Sequence, residues 1–162
     1  MSRALLLSVR PRFAQALLNG TKTAEIRRRF PNVPAGTTVV IYSSSPERAV
    51  LGTMRARALV RSTVSDIWDR YAEVIGINER ELRDYLDGAA KPSVLEVDSP
   101  SIWPNPVGLG ALRRILDIEP AQSFRYLTAR QVAELEVTGS LPSTVDGRPI
   151  YPYAARSRPA LI

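Results

Sequence analysis

The chain of 162 residues contains neither cysteine nor histidine. Without cysteine there is no disulfide framework, and without either residue the usual nitrogen- and sulfur-ligated zinc sites are excluded. Ser-His and Cys-His nucleophile pairs are excluded for the same reason. Proton transfer falls to lysine, carboxylate, tyrosine or water. Oxygen-ligated metals stay formally open, but no tight acidic cluster points to one, so neither a metal nor another cofactor is expected. No apolar run approaches the ~20 residues of a membrane span. Residues 4–7 (ALLL) are too short for the core of a secretion signal. These absences predict a cytoplasmic protein with no membrane partner.

Lysine is almost absent as well. Of the 22 basic residues only Lys22 and Lys91 are lysine, and all the others are arginine. A chain that defaults to arginine yet places a lysine directly after a turn singles out that position. An ammonium and a guanidinium differ in size, hydration and ease of deprotonation. A solvated surface lysine is the plain alternative.

What is present describes one globular domain. Hydrophobic residues make up 44% and charged residues 23%, and the length is enough to bury a core. The net charge of +6 is unevenly spread: residues 1–61 carry eleven bases and two acids, residues 62–162 eleven bases and fourteen acids. That asymmetry predicts a cationic face suited to a phosphate-bearing partner.

Along the chain, residues 4–9 read as a buried strand. Pro11 opens a helix whose stripe is Phe13, Ala14, Leu17 and Leu18, stopped by Gly20. Residues 22–29 read as a strand with Lys22, Ala24 and Ile26 on one face and Thr23, Glu25 and Arg27 on the other. Residues 37–43 form a β-branched central strand. A polar loop leads to a long strand over 49–61, with a bulge or close backbone approach at Gly52. Two acidic helices follow, over 64–75 and from a capping box at Asn78 and Glu81 to Gly88. Their acidity argues against helix-turn-helix DNA binding, and Trp68 and Tyr71 read as core. A strand at 93–98, a proline- and glycine-rich loop at 99–110 carrying Trp103, and a short helix near 109–116 come next. A strand over 122–127 leads to a last helix, capped by Thr128 with Gln131 and ending at Gly139. The tail from 140 to 162 is expected to wrap the surface or be partly disordered. Long strands without regular βαβ alternation predict an α+β fold built on a small mixed barrel with peripheral helices.

Three motifs in order carry a resemblance to a known family. They are Ser8, Arg10 and Pro11; then Gly20, Lys22, Glu25 and Arg27; then Tyr42, Ser44, Ser45 and Pro46. Over roughly residues 4–127 the chain resembles the ASCH domain, a member of the PUA-like β-barrel superfamily. It is most similar to a subgroup described as predicted transcriptional regulators. The resemblance implies a domain over 1–139 with a helical insert near 64–87. It also implies a cleft lined by the Gly-x-Lys segment, with RNA or a nucleotide-like ligand as partner and DNA as the alternative. Some members of the family are small amidohydrolases acting on N4-acetylcytidine, and others are reported as ribonucleases. In the amidohydrolases a threonine follows the lysine by three residues. Here Glu25 stands there, and Arg10 replaces a usual lysine.

The candidate reactive pair is therefore Lys22 and Glu25. On an ideal strand they point to opposite faces; only with a bend after Gly20 would both reach one cleft. They then form either a structural ion pair or a general base beside an electrostatic catalyst. Candidate ligand-binding residues are Arg10, Arg27 and Arg29 for phosphate and Ser44 and Ser45 for anion or base-edge contacts. Tyr42 and Tyr126 are candidate stacking rings. The expected molecule is a monomer.

Overall fold

The computed structural model describes residues 3–141, 143–145 and 148–150, the last two segments as backbone. Its centre is a six-stranded mixed sheet in the order β2-β5-β4-β3-β1-β6. The strands are β1 (Ala4–Val9), β2 (Ala24–Arg27), β3 (Thr38–Ser43), β4 (Ala49–Arg61), β5 (Ser93–Gly108) and β6 (Phe124–Leu127). β1 and β3 pair in parallel, and the remaining pairs are antiparallel. The intervening helices are α1 (Pro11–Leu18), α2 (Val64–Tyr71), α3 (Glu79–Tyr85), α4 (Leu109–Leu116) and α5 (Ala129–Ser140).

The apolar run of β1 follows from its place inside the sheet, between β3 and β6 and covered on both faces. Leu5, Leu7 and Val9 point into a core completed by Ala14 and Leu17 of α1, Ile41 of β3 and Leu51 of β4. Ala4 and Leu6 point into a second core with Val40, Val50, Trp103, Leu112 of α4 and Leu135 of α5. Leu6 and Leu7 are fully buried, and each such leucine contributes about 2 kcal/mol relative to exposure. A third cluster joins α2 and α3 to the sheet: Ile67, Tyr71, Ile75 and Leu82 pack on Ala24 and Ile26 of β2 and Val94 of β5.

The sheet curls until its edge strands approach each other. Phe30, just after β2, lies with its ring centroid 5.0 Å from that of Phe124 on β6. Arg27 of β2 donates to the Ser123 hydroxyl before β6 and to the Ser8 carbonyl on β1. The seam is closed by side chains and the result is an open mixed barrel.

Three boundaries that shape the packing differ from the sequence reading. β5 runs continuously from Ser93 to Gly108, where a strand followed by a loop was expected. Its pairing with β4 shifts register between Val50 and Gly52 and between Thr53 and Arg55. Pro100, Pro104 and Pro106 fall in those irregular stretches, where a missing N–H breaks no ladder bond. Trp103 is buried in the second core. β2 begins at Ala24, so Lys22 precedes the strand and does not share its alternation. Helix α5 passes through Gly139 to Ser140. A Cβ at 139 would sit 2.2 Å from Trp103 Cε3, so that glycine is a packing requirement and not a stop signal.

Other expectations hold. Gly20 ends α1 with φ +84, and both capping boxes form. At Gly52 a Cβ would meet the Ser101 carbonyl oxygen at 2.1 Å, the close backbone approach read from the sequence. Part of the 140–162 tail lies outside the described residues. Within it, β7 (Ser143–Val145) and β8 (Arg148–Ile150) form an antiparallel pair, where no regular structure was expected. No helix among the described residues is long and apolar enough to cross a membrane.

Candidate functional site

A cleft of about 540 Å³ opens where the end of β1, the start of α1, β2 and the α2–α3 insert meet. Its floor is a chain of polar groups that starts at Lys22. The positive φ of Gly20 turns the chain out of α1, and the Lys22 amide is then held by the Ala16 carbonyl at 2.9 Å. The ammonium is thereby directed under the insert. Nζ donates to the Ala24 carbonyl at 2.8 Å, the Ile75 carbonyl at 2.5 Å and Glu25 Oε1 at 3.1 Å. An ammonium has three protons to donate, so its capacity is used up within the protein. Burial pushes the Lys22 ammonium below the ordinary lysine value, partly offset by the Glu25 charge.

Glu25 stands between two cations. Its second oxygen accepts from Arg27 Nη2 at 2.7 Å and Nε at 3.0 Å. Arg27 continues the line: Nη1 donates to Ser123 Oγ at 3.1 Å and Nη2 to the Ser8 carbonyl at 2.9 Å. The triad Lys22–Glu25–Arg27 thus keeps a surplus positive charge on the floor. At the mouth stand Arg10 and Arg12, the latter paired with Glu81 of α3 at 3.1 Å. Four cations and two carboxylates line one concavity, which gives an anion-attracting field.

The structure brings Lys22, Glu25, Arg10, Arg27 and Ser44 together at this cleft. The other sequence candidates lie elsewhere. Arg29 is exposed beyond the end of β2, so strand alternation does not carry it to the Arg27 position. Tyr42 is buried in the second core, and burial pushes its phenol up from the ordinary value. Ser45 lies in the exposed turn after β3 and outside the cleft lining. Tyr126 is exposed on β6, with the Arg3 guanidinium 4.3 Å from its ring centroid and Phe124 edge-on at 5.8 Å.

Ser123, Glu81 and Tyr85 were not among the sequence candidates for the site. Ser123 reaches Arg27 from 96 residues away, with no local pattern to announce it. Glu81 and Tyr85 lie four apart on α3, and that spacing alone marks a shared face.

A curled mixed sheet with helices on both faces and a polar cleft at its seam defines a PUA-like α+β barrel. The chain is 31% identical over 132 residues to an ASCH domain-containing ribonuclease of Zymomonas mobilis, covering 80% of this chain and 88% of that one. It belongs to the ASCH domain family. The crystal structure of ASCH from Zymomonas mobilis superposes with a TM-score of 0.78 at 29% identity, over 82% of this chain and 92% of that chain. A family model described as a domain of unknown function, DUF365, matches residues 4–115. The fold is shared more widely. Human THYN1 protein, crystallised in complex with DNA containing 5-methylcytosine, superposes with a TM-score of 0.57 at 12% identity over 88% of this chain and 100% of that one.

Proposed function

We propose that this chain binds single-stranded nucleic acid, RNA foremost, with a phosphate held by the arginines of the cleft and a nucleobase seated inside it. The observation that carries the reading is the position of Arg27. Its guanidinium is largely buried, with a side chain 13% exposed, yet it lines an open cleft that Arg10 and Arg12 also enter. Its Nε proton, both Nη2 protons and one Nη1 proton serve Glu25, Ser8 and Ser123. It therefore offers a phosphate oxygen its remaining Nη1 proton and its charge, and the partial exclusion of water strengthens that attraction. The volume of the cleft accommodates a nucleoside-sized group.

A second reading is cleavage of RNA, favoured by the relative from Zymomonas mobilis, which bears the name ribonuclease. In that reaction the 2′-hydroxyl of the substrate attacks the adjacent phosphorus and the 5′-oxygen of the next nucleotide departs with a proton. The cleft would contribute charge stabilisation of the phosphoryl oxygens through Arg27. Lys22 has its protons committed to Glu25 and two carbonyls, so it serves better as the support of Glu25 and Arg27 than as a nucleophile. Acyl removal from a nucleoside by a lysine-centred mechanism finds no support in that arrangement.

The test is fluorescence anisotropy with a labelled single-stranded RNA and a labelled DNA duplex, using wild type, Arg27→Ala and Arg27→Lys, with RNA products followed by chromatography. Wild type is expected to bind the single strand. Arg27→Ala is expected to weaken binding by about tenfold or more, since bonds to charged groups contribute about 1.5–3 kcal/mol. Arg27→Lys fails to rescue, because an ammonium cannot span Glu25, Ser8 and Ser123 together. Preference for the duplex, with Arg27→Ala unaffected, would refute the cleft reading.

A further inference from the structure

Two aromatic rings line the cleft, Phe13 of α1 and Tyr85 of α3, and their surroundings differ. The Phe13 ring already has cations on it: Arg12 lies 4.4 Å from its centroid and Lys22 Nζ 5.2 Å. Tyr85 is 44% exposed. Among the described residues no ring or cation covers it and its hydroxyl has no hydrogen-bond partner. A large ring left bare at the mouth of a cationic cleft is a surface without a partner in the free protein.

The ring is nevertheless held in place. Arg28 Nη1 donates to the Tyr85 carbonyl at 2.9 Å and to the Asp87 carbonyl at 2.7 Å. The first is the last carbonyl of α3 and the second belongs to the turn that follows it, and neither has a partner within the helix. The other end of α3 is fixed by the Asn78–Glu81 capping box. Glu81 and Tyr85 lie one turn apart and both face the cleft, and Glu81 holds Arg12. The exposed ring and the carboxylate that holds Arg12 thus rise from α3 one helical turn apart, about 5–6 Å at Cβ, so the ring and a cation share one rim of the cleft.

We propose that Tyr85 is the stacking platform for a nucleobase at the mouth of the cleft, that Arg28 positions it, and that it gives the site a preference for purine over pyrimidine bases. This rests on the nucleic-acid reading above. Base–aromatic stacking tolerates any base, and its strength sets what preference there is. Purines present the larger face, so a site that binds through one bare ring favours them. Arg28 acts through the backbone and touches no ligand in this scheme.

The experiment compares labelled hexamers of adenylate and of uridylate against wild type, Tyr85→Ala, Tyr85→Phe, Arg28→Ala and Arg27→Ala at one salt concentration. Removing a stacking ring costs about 1–3 kcal/mol, so Tyr85→Ala is expected to weaken the adenylate hexamer by about tenfold and the uridylate hexamer by less. Tyr85→Phe keeps wild-type affinity, since the ring and not the hydroxyl makes the contact. Arg28→Ala gives a smaller loss with the same purine bias. If Tyr85→Ala binds both hexamers like wild type while Arg27→Ala does not, stacking is overturned and the cleft reading stands. Equal losses for Tyr85→Ala and Tyr85→Phe would overturn it too, by assigning the contact to the hydroxyl. If wild type binds neither hexamer, both the stacking role and the reading beneath it fail.

Discussion

The Lys22 ammonium and the Glu25 carboxylate lie 3.1 Å apart with side chains only 3% and 9% exposed. Two backbone carbonyls take the other protons of Lys22, and Arg27 takes the other oxygen of Glu25. A scarce lysine in an arginine-rich chain is thereby explained by shape. A compact, rotatable ammonium can serve three acceptors in a narrow buried space, where a planar guanidinium fits poorly. The Ile75 carbonyl belongs to the insert, so Lys22 also pins α2–α3 to the barrel.

Replacement of Lys22 by methionine leaves two carbonyls without a donor and Glu25 with one cation in place of two. Breaking a buried pair costs about 3–5 kcal/mol, and because Arg27 remains on Glu25 a loss near the lower figure is expected in urea denaturation. The pH dependence has a definite sign. The folded-state value of Lys22 is lowered by burial from the ordinary 10.5, so between that lowered value and 10.5 the unfolded chain binds more protons and stability rises with pH. Wild type should therefore gain stability relative to Lys22→Met as pH climbs through that window. A flat difference would show that the ammonium is not buried as described.

The Arg12–Glu81 link across the mouth is exposed on both sides, so it contributes little to folding. Glu81→Gln keeps the capping box, because glutamine also accepts the Asn78 N–H. The variant should fold like wild type and bind an anionic oligonucleotide a few-fold more tightly at low salt, with the gain shrinking as salt is raised. The Asn78 amide first, and Arg12 next, hold the Glu81 carboxyl below its ordinary range. Its link to Arg12 is thus present above the ordinary carboxylate value and is lost as pH falls through the lowered one. Wild type should approach the variant there. Weaker binding by Glu81→Gln at neutral pH would instead make Glu81 a ligand contact.

Gly139→Ala tests the approach of α5 to β5. The added methyl would sit 2.2 Å from Trp103 Cε3 and 2.5 Å from Cδ2, atoms of a rigid ring that cannot turn aside. Overpacking of this kind costs about 1–3 kcal/mol. A lower thermal midpoint with a red-shifted Trp103 emission is the expected outcome, and an unchanged midpoint would contradict the packing described.

The features legible in the sequence were those with local signals. Pro11, Gly20 and the boxes at Asn78 and Thr128 each act within a turn of the backbone they cap, and they mark the helices well. The length of β5 was hidden because prolines usually end strands, and only the register shifts against β4 make room for them. Whether Lys22 and Glu25 meet was undecidable from alternation, since it depends on where β2 begins. Tyr42 and Arg29 were misplaced relative to the cleft because a one-residue change of face or of strand end redirects a side chain. Ser123 and Tyr85 came from distant parts of the chain, and nothing near them in sequence refers to Arg27 or Arg12.

The seam between β2 and β6 is a clasp rather than a weld. Neighbouring strands elsewhere in the sheet are joined by ladders of backbone bonds, whereas these edges meet through the Phe30–Phe124 rings and one guanidinium. That guanidinium is also the floor of the cleft. A ligand that draws on Arg27 therefore acts at the joint of the barrel. Were a ligand to do so, occupancy of the cleft and closure of the ring would be linked through one side chain, each shifting the other by the same free energy.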